Sequence, residues 1–458
     1  MNVGLFIGVM VALSALYLIL GWMTSKKHLS SHADLFLAGR GLTLFPLTAT
    51  LLATQIGGGM FIGTAQDPFR GILYVAGLVL GFLFLGLGVA QKFRAFNVET
   101  LGGIFGTLYK SKPLQSICDL ISIVTLCGIL LSQALAMESV VRSFTGPMGD
   151  YLFPGLWLTI VVYTLLGGLY AVVITDVVQI GIIVAVFTTL FGYSLFTNPV
   201  SFFSTKMYHS LLTIFDSSSL AAPEMIKIVV IATLYSMLTQ DVAQRFFAAK
   251  TQTTARLAAL YASVLLFAFA IIPFYFGVQA QLQGLSNECN PLFAVLEKTV
   301  SGLALVLGMC ALMAALSSTI DSLLCTISAI ICSFAAPYIR GTLKNETLLS
   351  QLIIIISGVG ILIGSYHCPK HIIDTLISSY ELATVCLFVP VIAACIKPKE
   401  SLHSISAYYA LLGGFLGFMM SAMINVPVFR NWGTFIALGL SLTGYIIGDL
   451  AKSKKSLL

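Results

Sequence analysis

The chain has 458 residues, 58% of them hydrophobic and only 9% charged, with a formal net charge of +6. Ordinary soluble domains are about 25% charged, so a soluble enzyme is excluded and a polytopic membrane protein is indicated. The modest positive charge calls for no nucleic-acid partner. The 40 glycines are scattered and followed by apolar runs, which fits close helix packing and broken helices better than collagen or disorder.

About 20 apolar residues cross a bilayer. By that rule thirteen spans are expected, near residues 2–22, 43–64, 71–93, 114–140, 151–168, 174–196, 226–246, 255–280, 299–333, 348–366, 371–396, 404–424 and 431–450. The first lacks a basic flank before it and a small-residue cleavage site after it, so it reads as a retained helix rather than a signal peptide. Lys and Arg divide 17 to 7 between alternate connections. The rich set includes Lys26, Lys27, Lys92, Arg94, Arg245, Lys250, Lys397 and Lys452; Arg70, Arg142 and Lys227 belong to the sparse one. The positive-inside rule then places the N-terminus outside and the C-terminus inside, in a plasma membrane such as the bacterial inner membrane.

Two spans carry polar interruptions. The second contains Gly57-Gly58-Gly59 and the seventh contains Ser236 to Gln240. Paired interrupted helices point to an inverted repeat with a binding site near the midplane. Carbonyls freed at such breaks need a partner in lipid, and a cation can be that partner. The triplet would also serve close packing alone.

The ninth span holds Ala314-Ala315-Leu316-Ser317-Ser318-Thr319-Ile320-Asp321-Ser322. Ala315, Ser318, Thr319 and Ser322 recur at i, i+3, i+4 and i+7 and share one face. Asp321 stands beside it, and a carboxylate at bilayer depth costs roughly 2.5–3.5 kcal/mol unless it meets a partner, cavity or ion. Hydroxyl, carbonyl and carboxylate oxygens suit a hard monovalent cation. Simpler roles compete: Ser317 bonding back to its own helix, Asp321 as a helix–helix hydrogen bonder, Asp176 as a cap after Thr175. Asp119 and Glu138 lie in the long fourth span, and Glu381, next to Tyr380, has no assigned role.

Cysteines 118, 127, 310, 325, 332, 386 and 395 lie in apolar runs and read as packing residues. Cys289 and Cys368 fall in short polar loops on one expected side, where a disulfide is compatible but not required. No CxxC or His/Cys cluster indicates zinc or redox chemistry, and no catalytic constellation indicates an enzyme.

Four segments together resemble the sodium:solute symporter family. They are Asp34-Leu35-Phe36-Leu37-Ala38-Gly39-Arg40; Ala53-Thr54-Gln55-Ile56-Gly57-Gly58-Gly59 with Phe61-Ile62-Gly63; Gly167 to Val172 with Thr175-Asp176-Val177-Val178-Gln179; and Gln244 to Lys250 with Ala255-Arg256 and the Ala314–Ser322 stripe. The resemblance covers roughly residues 30–400. It implies an all-α membrane fold with a LeuT-like five-plus-five core, one extra N-terminal helix and two extra C-terminal ones. The divisions would be 1–42 (first helix and loop), 43–200 (first repeat), 201–400 (second repeat) and 401–458 (last two helices).

The resemblance also implies a sodium site on Ala53, Ile56, Ala315, Ser318 and Thr319. Some members hold a second sodium, which here would use Asp176, Ser318, Asp321 and Ser322. The implied solute liners are Gln55, Gly57, Gly58, Gly59, Met60, Tyr74, Gln133 and Tyr235. Gly59 and Met60 stand where sugar-transporting relatives carry an acid and an amide, which argues against a hexose. Gln55 stands where choline-transporting relatives carry an aromatic, which argues against choline. The implied activity is sodium-coupled import of a small organic solute, such as proline or another small zwitterion or anion, by a functional monomer in the lipid bilayer. Proton coupling, a choline-like symporter, a passive channel and a transporter-shaped sensor stay open at this point.

Overall fold

The protein, seen in a computed structural model, is described over residues 3–28, 32–165, 168–197, 221–285, 290–335, 343–368, 372–423 and 427–455. It is built of helices; among the described residues the one β-bridge joins Leu42 and Ala249. The helices used below are α1 (Val3–His28), α2 (Leu44–Gln55), α3 (Gly59–Gln66), α4 (Pro68–Phe84), α5 (Lys112–Thr145), α6 (Gly149–Thr164), α7 (Gly168–Thr197), α8 (Ala221–Ser236), α9 (Gln240–Ala248), α10 (Gln252–Leu282), α11 (Gly302–Ala335), α12 (Leu343–Ser365), α13 (Ile372–Ile396), α14 (Ser404–Met423) and α15 (Pro427–Lys455).

Eleven described helical stretches are long and apolar enough to cross a membrane, and the bent pair α2–α3 makes twelve. The sequence reading counts thirteen. The difference lies in residues 112–164, one apolar helical stretch by length and composition. It is interrupted at Gly146, whose φ of 59° and ψ of −136° end α5, a conformation that glycine adopts without steric penalty. Gln133 of α5 and Tyr163 of α6 nevertheless approach the same stretch of α11, beside Thr319 and Asp321 respectively.

α11 is the axis of the molecule. In its most apolar window 83% of the residues are buried, against 17% for α1, so α11 is surrounded by protein while α1 lies at the rim. α7, α5, α2 and α12 all pack on it. At the other side α14 and α15 pack on each other and on α13. Gly414 lies against the Val385 backbone and Gly444 against the Tyr409 backbone, where a Cβ would sit 2.1 and 2.4 Å from the carbonyl oxygens. Lipid gives helices no hydrophobic reason to associate, so such small residues let backbones touch.

The loop before α2 makes a left-handed turn: Ala38, Gly39 and Arg40 have φ of 47°, 60° and 54°. This turn aims Leu42 at the end of α9. The Leu42 N–H donates to the Ala248 carbonyl at 3.2 Å, and the Lys250 N–H donates back to the Leu42 carbonyl at 2.8 Å.

α4 meets α8 through Gly77 and Gly81, spaced i, i+4. A Cβ on Gly81 would lie 1.7 Å from Ser236 Oγ and 2.6 Å from the Thr233 carbonyl oxygen. Gly81→Val is therefore expected to destabilise the fold by about 1–3 kcal/mol, read as a lower unfolding midpoint in detergent. Gly360→Ala, at a position with open space around it, is the control and should leave the midpoint unchanged.

Candidate ion and solute site

The site begins with the break between α2 and α3. Ile56 still donates its N–H to the Leu52 carbonyl at 2.9 Å, but its φ and ψ of −83° and 67° leave the helix. The two segments diverge by 51°. A Cβ on Gly57 would lie 2.6 Å from Thr319 Oγ1, one on Gly58 2.5 Å from the Ala136 Cβ, and one on Gly59 2.3 Å from Leu376 Cδ1. The glycines thus serve both close packing and the break. Gln133 Oε1 accepts the Gly58 N–H at 2.8 Å, supplying one backbone donor with a partner that the interrupted helix does not.

The hydroxyl stripe of α11 faces this break. Ser318 Oγ lies 3.0 Å from both the Ala53 and Ala315 carbonyl oxygens. Thr319 Oγ1 lies 3.2 Å from the Thr54 carbonyl and 3.3 Å from that of Ala315. Ala53, Ala315 and Ser318 therefore converge as the sequence suggests. Thr319 joins them through Thr54 rather than through Ile56, which is buried one residue beyond the end of α2. The grouping offers neutral oxygens from two helices, a donor set that suits a hard cation. Ser317 bonds to the Ala314 carbonyl at 3.0 Å and accepts from Gln179 Nε2 at 3.0 Å.

A charged cluster adjoins it. Arg245 is counted among loop cations in the sequence reading, yet its side chain is fully buried in α9, as is that of Asp176 on α7. Its guanidinium reaches Asp176 Oδ2 at 3.3 Å, Thr50 Oγ1 at 2.7 Å, Ser322 Oγ at 2.6 Å and the Asp241 backbone carbonyl at 2.9 Å. The Thr50 hydroxyl donates to Asp176. Asp321 Oδ2 accepts from the Tyr163 hydroxyl at 3.1 Å, and Ser322 Oγ lies 3.4 Å from Asp321 Oδ1. Asp176, Asp321 and Ser322 thus come together, with Arg245 as the cation between the first and the last. When both carboxylates are ionised, one guanidinium leaves the cluster with one negative charge.

A small cavity of about 30 Å³ lies beside the break, with room for a few water molecules. Of the expected liners, Gln55, Gly57, Gly59, Tyr74, Gln133 and Tyr235 border it. Gly58 does not, being pressed against Ala136 and Leu316. Met60 does not either: residues 59–63 wind as a π-helical turn, which alters the register of side chains around the axis. Asp241 and Tyr380 border it without having been anticipated. Tyr380 stacks on Tyr235 at 4.0 Å between centroids, and its hydroxyl lies 3.0 Å from that of Tyr74.

Further along the same helices Arg70 of α4 joins Asp374 of α13 at 2.7 Å and Glu224 of α8 at 2.9 Å. Glu381 pairs with Lys227 at 2.8 Å and accepts from Thr434. Glu138 pairs with Arg142 at 3.0 Å; Asp119 is buried against Gly102. Cys368 is a free thiol, and Cys289, with any pairing it makes, lies outside the described residues.

An interrupted helix crossed by a hydroxyl-bearing helix, around a small central cavity, is the architecture of a secondary transporter with paired broken helices. The profile of the sodium:solute symporter family matches residues 35–417, and the chain belongs to that family. The curated relatives that it matches are transporters. Sodium/glucose cotransporter 4 of Homo sapiens is 27% identical over 173 residues, 36% of this chain and 25% of the relative. The osmoregulated proline transporter OpuE of Bacillus subtilis (strain 168) is 31% identical over 178 residues, 35% of each. The matched regions thus span a quarter to a third of these curated relatives. In fold, the chain is similar to a substrate-bound, outward-open Na+-coupled sialic acid symporter, with a TM-score of 0.78, 16% identity and 97% of each chain covered. MhsT in complex with L-phenylalanine is similar with a TM-score of 0.54, 13% identity and 90% and 98% covered.

Removing Arg245 leaves Asp176 buried without its cation, for which a loss of about 3–5 kcal/mol is expected. Arg245→Met should therefore lower the unfolding midpoint in detergent strongly, and Arg245→Met with Asp176→Asn should recover much of it. A double variant no better than the single one would refute the pairing.

Proposed function

We propose that the protein is a sodium-coupled secondary active symporter that imports a small organic solute by alternating access. The observation that carries this reading is the meeting of the Ser318 and Thr319 hydroxyls with the Ala53, Thr54 and Ala315 carbonyls across the break in α2. Na+ held by Ala53, Ile56, Ala315, Ser318 and Thr319 would join α2 to α11. That would stabilise one orientation of the transporter relative to the other, as coupling requires. One Na+ moving through about 100 mV releases roughly 2.3 kcal/mol, enough for a solute gradient of about 40- to 50-fold.

A second cation, sodium or proton, belongs on this reading at Asp321 with Ser318 and Ser322. Arg245 answers Asp176, and the negative charge left over falls to Asp321. The solute site lies in the cavity bordered by Gln55, Gly57, Gly59, Tyr74, Gln133 and Tyr235. The proline transporter among the relatives supports a small amino acid, and Gly59 and Met60 argue against a hexose.

The chain would cross the membrane thirteen times, with residues 112–164 counted as two crossings. Residues 43–200 and 201–400 form the repeats, flanked by 1–42 and 401–458. The N-terminus would lie outside a plasma membrane and the C-terminus inside. The bridge of Arg70 to Asp374 and Glu224 then sits on the outer side and ties α4, α8 and α13 over the cavity.

Ser318→Ala and Thr319→Ala should each raise the sodium concentration for half-maximal uptake in proteoliposomes about tenfold or more, the factor that loss of about 1.4 kcal/mol gives. Membrane insertion should be unaffected, and an unchanged sodium dependence rejects the site. Asp321→Asn should reduce the ion-to-solute ratio, measured from reversal potentials, from two to one. A ratio that stays the same assigns Asp321 to structure alone.

A further inference from the structure

Among the described residues Asp241 is the one charged side chain bordering the central cavity, and the cycle described above gives it no task. It sits in the first turn of α9, just beyond the interruption between α8 and α9, and is only 3% exposed. Its carboxylate accepts from the Thr239 hydroxyl and forms no ion pair among the described residues. Arg245 is one helical turn away but touches only the backbone carbonyl of Asp241; its guanidinium turns to Asp176, Thr50 and Ser322. A buried carboxylate without a cation is costly.

The rest of the wall has the same electrostatic preference. Tyr235, Tyr380 and Tyr74 form a ladder beside the cavity, and aromatic faces attract cations and repel anions. No Lys, Arg or His borders the cavity among the described residues. Its lining is thus poor in groups that would hold a bare anion and holds one full negative charge.

We infer that the transported solute carries a protonated amine, and that Asp241 is its counter-ion, with the three tyrosines as the adjoining wall. This rests on the symport reading and narrows it: among small zwitterions and anions, those without an amine are excluded. The amine N–H groups would donate to the carboxylate that the fold leaves without a cation. The cavity, about 30 Å³, must widen to admit such a solute. Gly57 and Gly59 border it without side chains, so the widening falls to the side chains around them.

A carboxylate in the first turn of a helix also balances the positive N-terminus. That role alone predicts that Asp241→Asn changes stability and leaves solute choice untouched. The test therefore reads selectivity. The purified full chain is screened by thermal shift, in Na+ and in K+, against the common amino acids, L-lactate, tetrahydrofuran-2-carboxylate and glucose. Every solute that stabilises the protein in a Na+-dependent way is expected to carry an amine. L-alanine should outrank L-lactate, and L-proline should outrank tetrahydrofuran-2-carboxylate, wherever either member of the pair binds.

Asp241→Asn should weaken the apparent affinity for the responding solutes at least tenfold, Asp241→Glu less so, and both should keep the solute-free sodium response within twofold. Equal binding of the hydroxy acid or sugar, no response to any amine, or a changed melting point with unchanged solute affinity would each overturn the inference. So would an altered sodium response in the solute-free variant, which would make Asp241 an ion ligand. The symport reading fails separately, by loss of sodium dependence in the unaltered protein.

Discussion

The structure depends on one requirement: a helix broken inside a bilayer must find partners for the peptide groups that the break releases. At residues 56–58 those partners are side chains from neighbouring helices. Gln133 takes the Gly58 N–H, and the Ser318 and Thr319 hydroxyls meet the Ala53 and Thr54 carbonyls. These contacts place α5 and α11 at fixed points along α2, and much of the remaining packing follows. The glycine triplet permits the approach, since each position would clash with a neighbour if it carried a Cβ.

The same economy governs charge. Arg245 and Asp176 are both fully buried; Thr50, Ser322 and a backbone carbonyl supply further hydrogen bonds to the pair, while Asp176 Oδ1 has no partner among the described residues. Removing one member of such a group strands the other, so the cluster specifies how α2, α7, α9 and α11 fit together more than it adds stability. Outside it, Arg70 and Lys227 pair with carboxylates on α8 and α13. Between these two charged levels lies the tyrosine ladder.

What was legible in the sequence followed from strong local signals. Three consecutive glycines in an apolar run announce a break, and four small or hydroxylated residues at helical spacing announce a face. Carboxylates in lipophilic stretches single out Asp176 and Asp321. Arg245 was misplaced because it precedes Lys250 and Arg256 in a basic stretch, where the positive-inside rule assigns cations to a loop. Its distance from the Ser236–Gln240 interruption, barely more than one turn, was the available clue. Tyr380 and Asp241 reach the cavity only after α13 and α9 have packed against α2, and no spacing within either segment announces that. Met60 was lost to the π-helical turn at 59–63, which ideal helical periodicity does not describe. The count of spans depends on Gly146, where α5 ends through a backbone angle that hydropathy does not report.

The two hydrogen bonds that Leu42 makes with Ala248 and Lys250 have a mechanical consequence. They join the lead-in of the first broken helix to the end of the second, backbone to backbone, with no side chain whose rotation could slacken the joint. The two interrupted helices are therefore pinned to each other at one end, while at the first break α2 is held instead by α5 and α11. Any separation of the two helices at that end must break both of these hydrogen bonds at once.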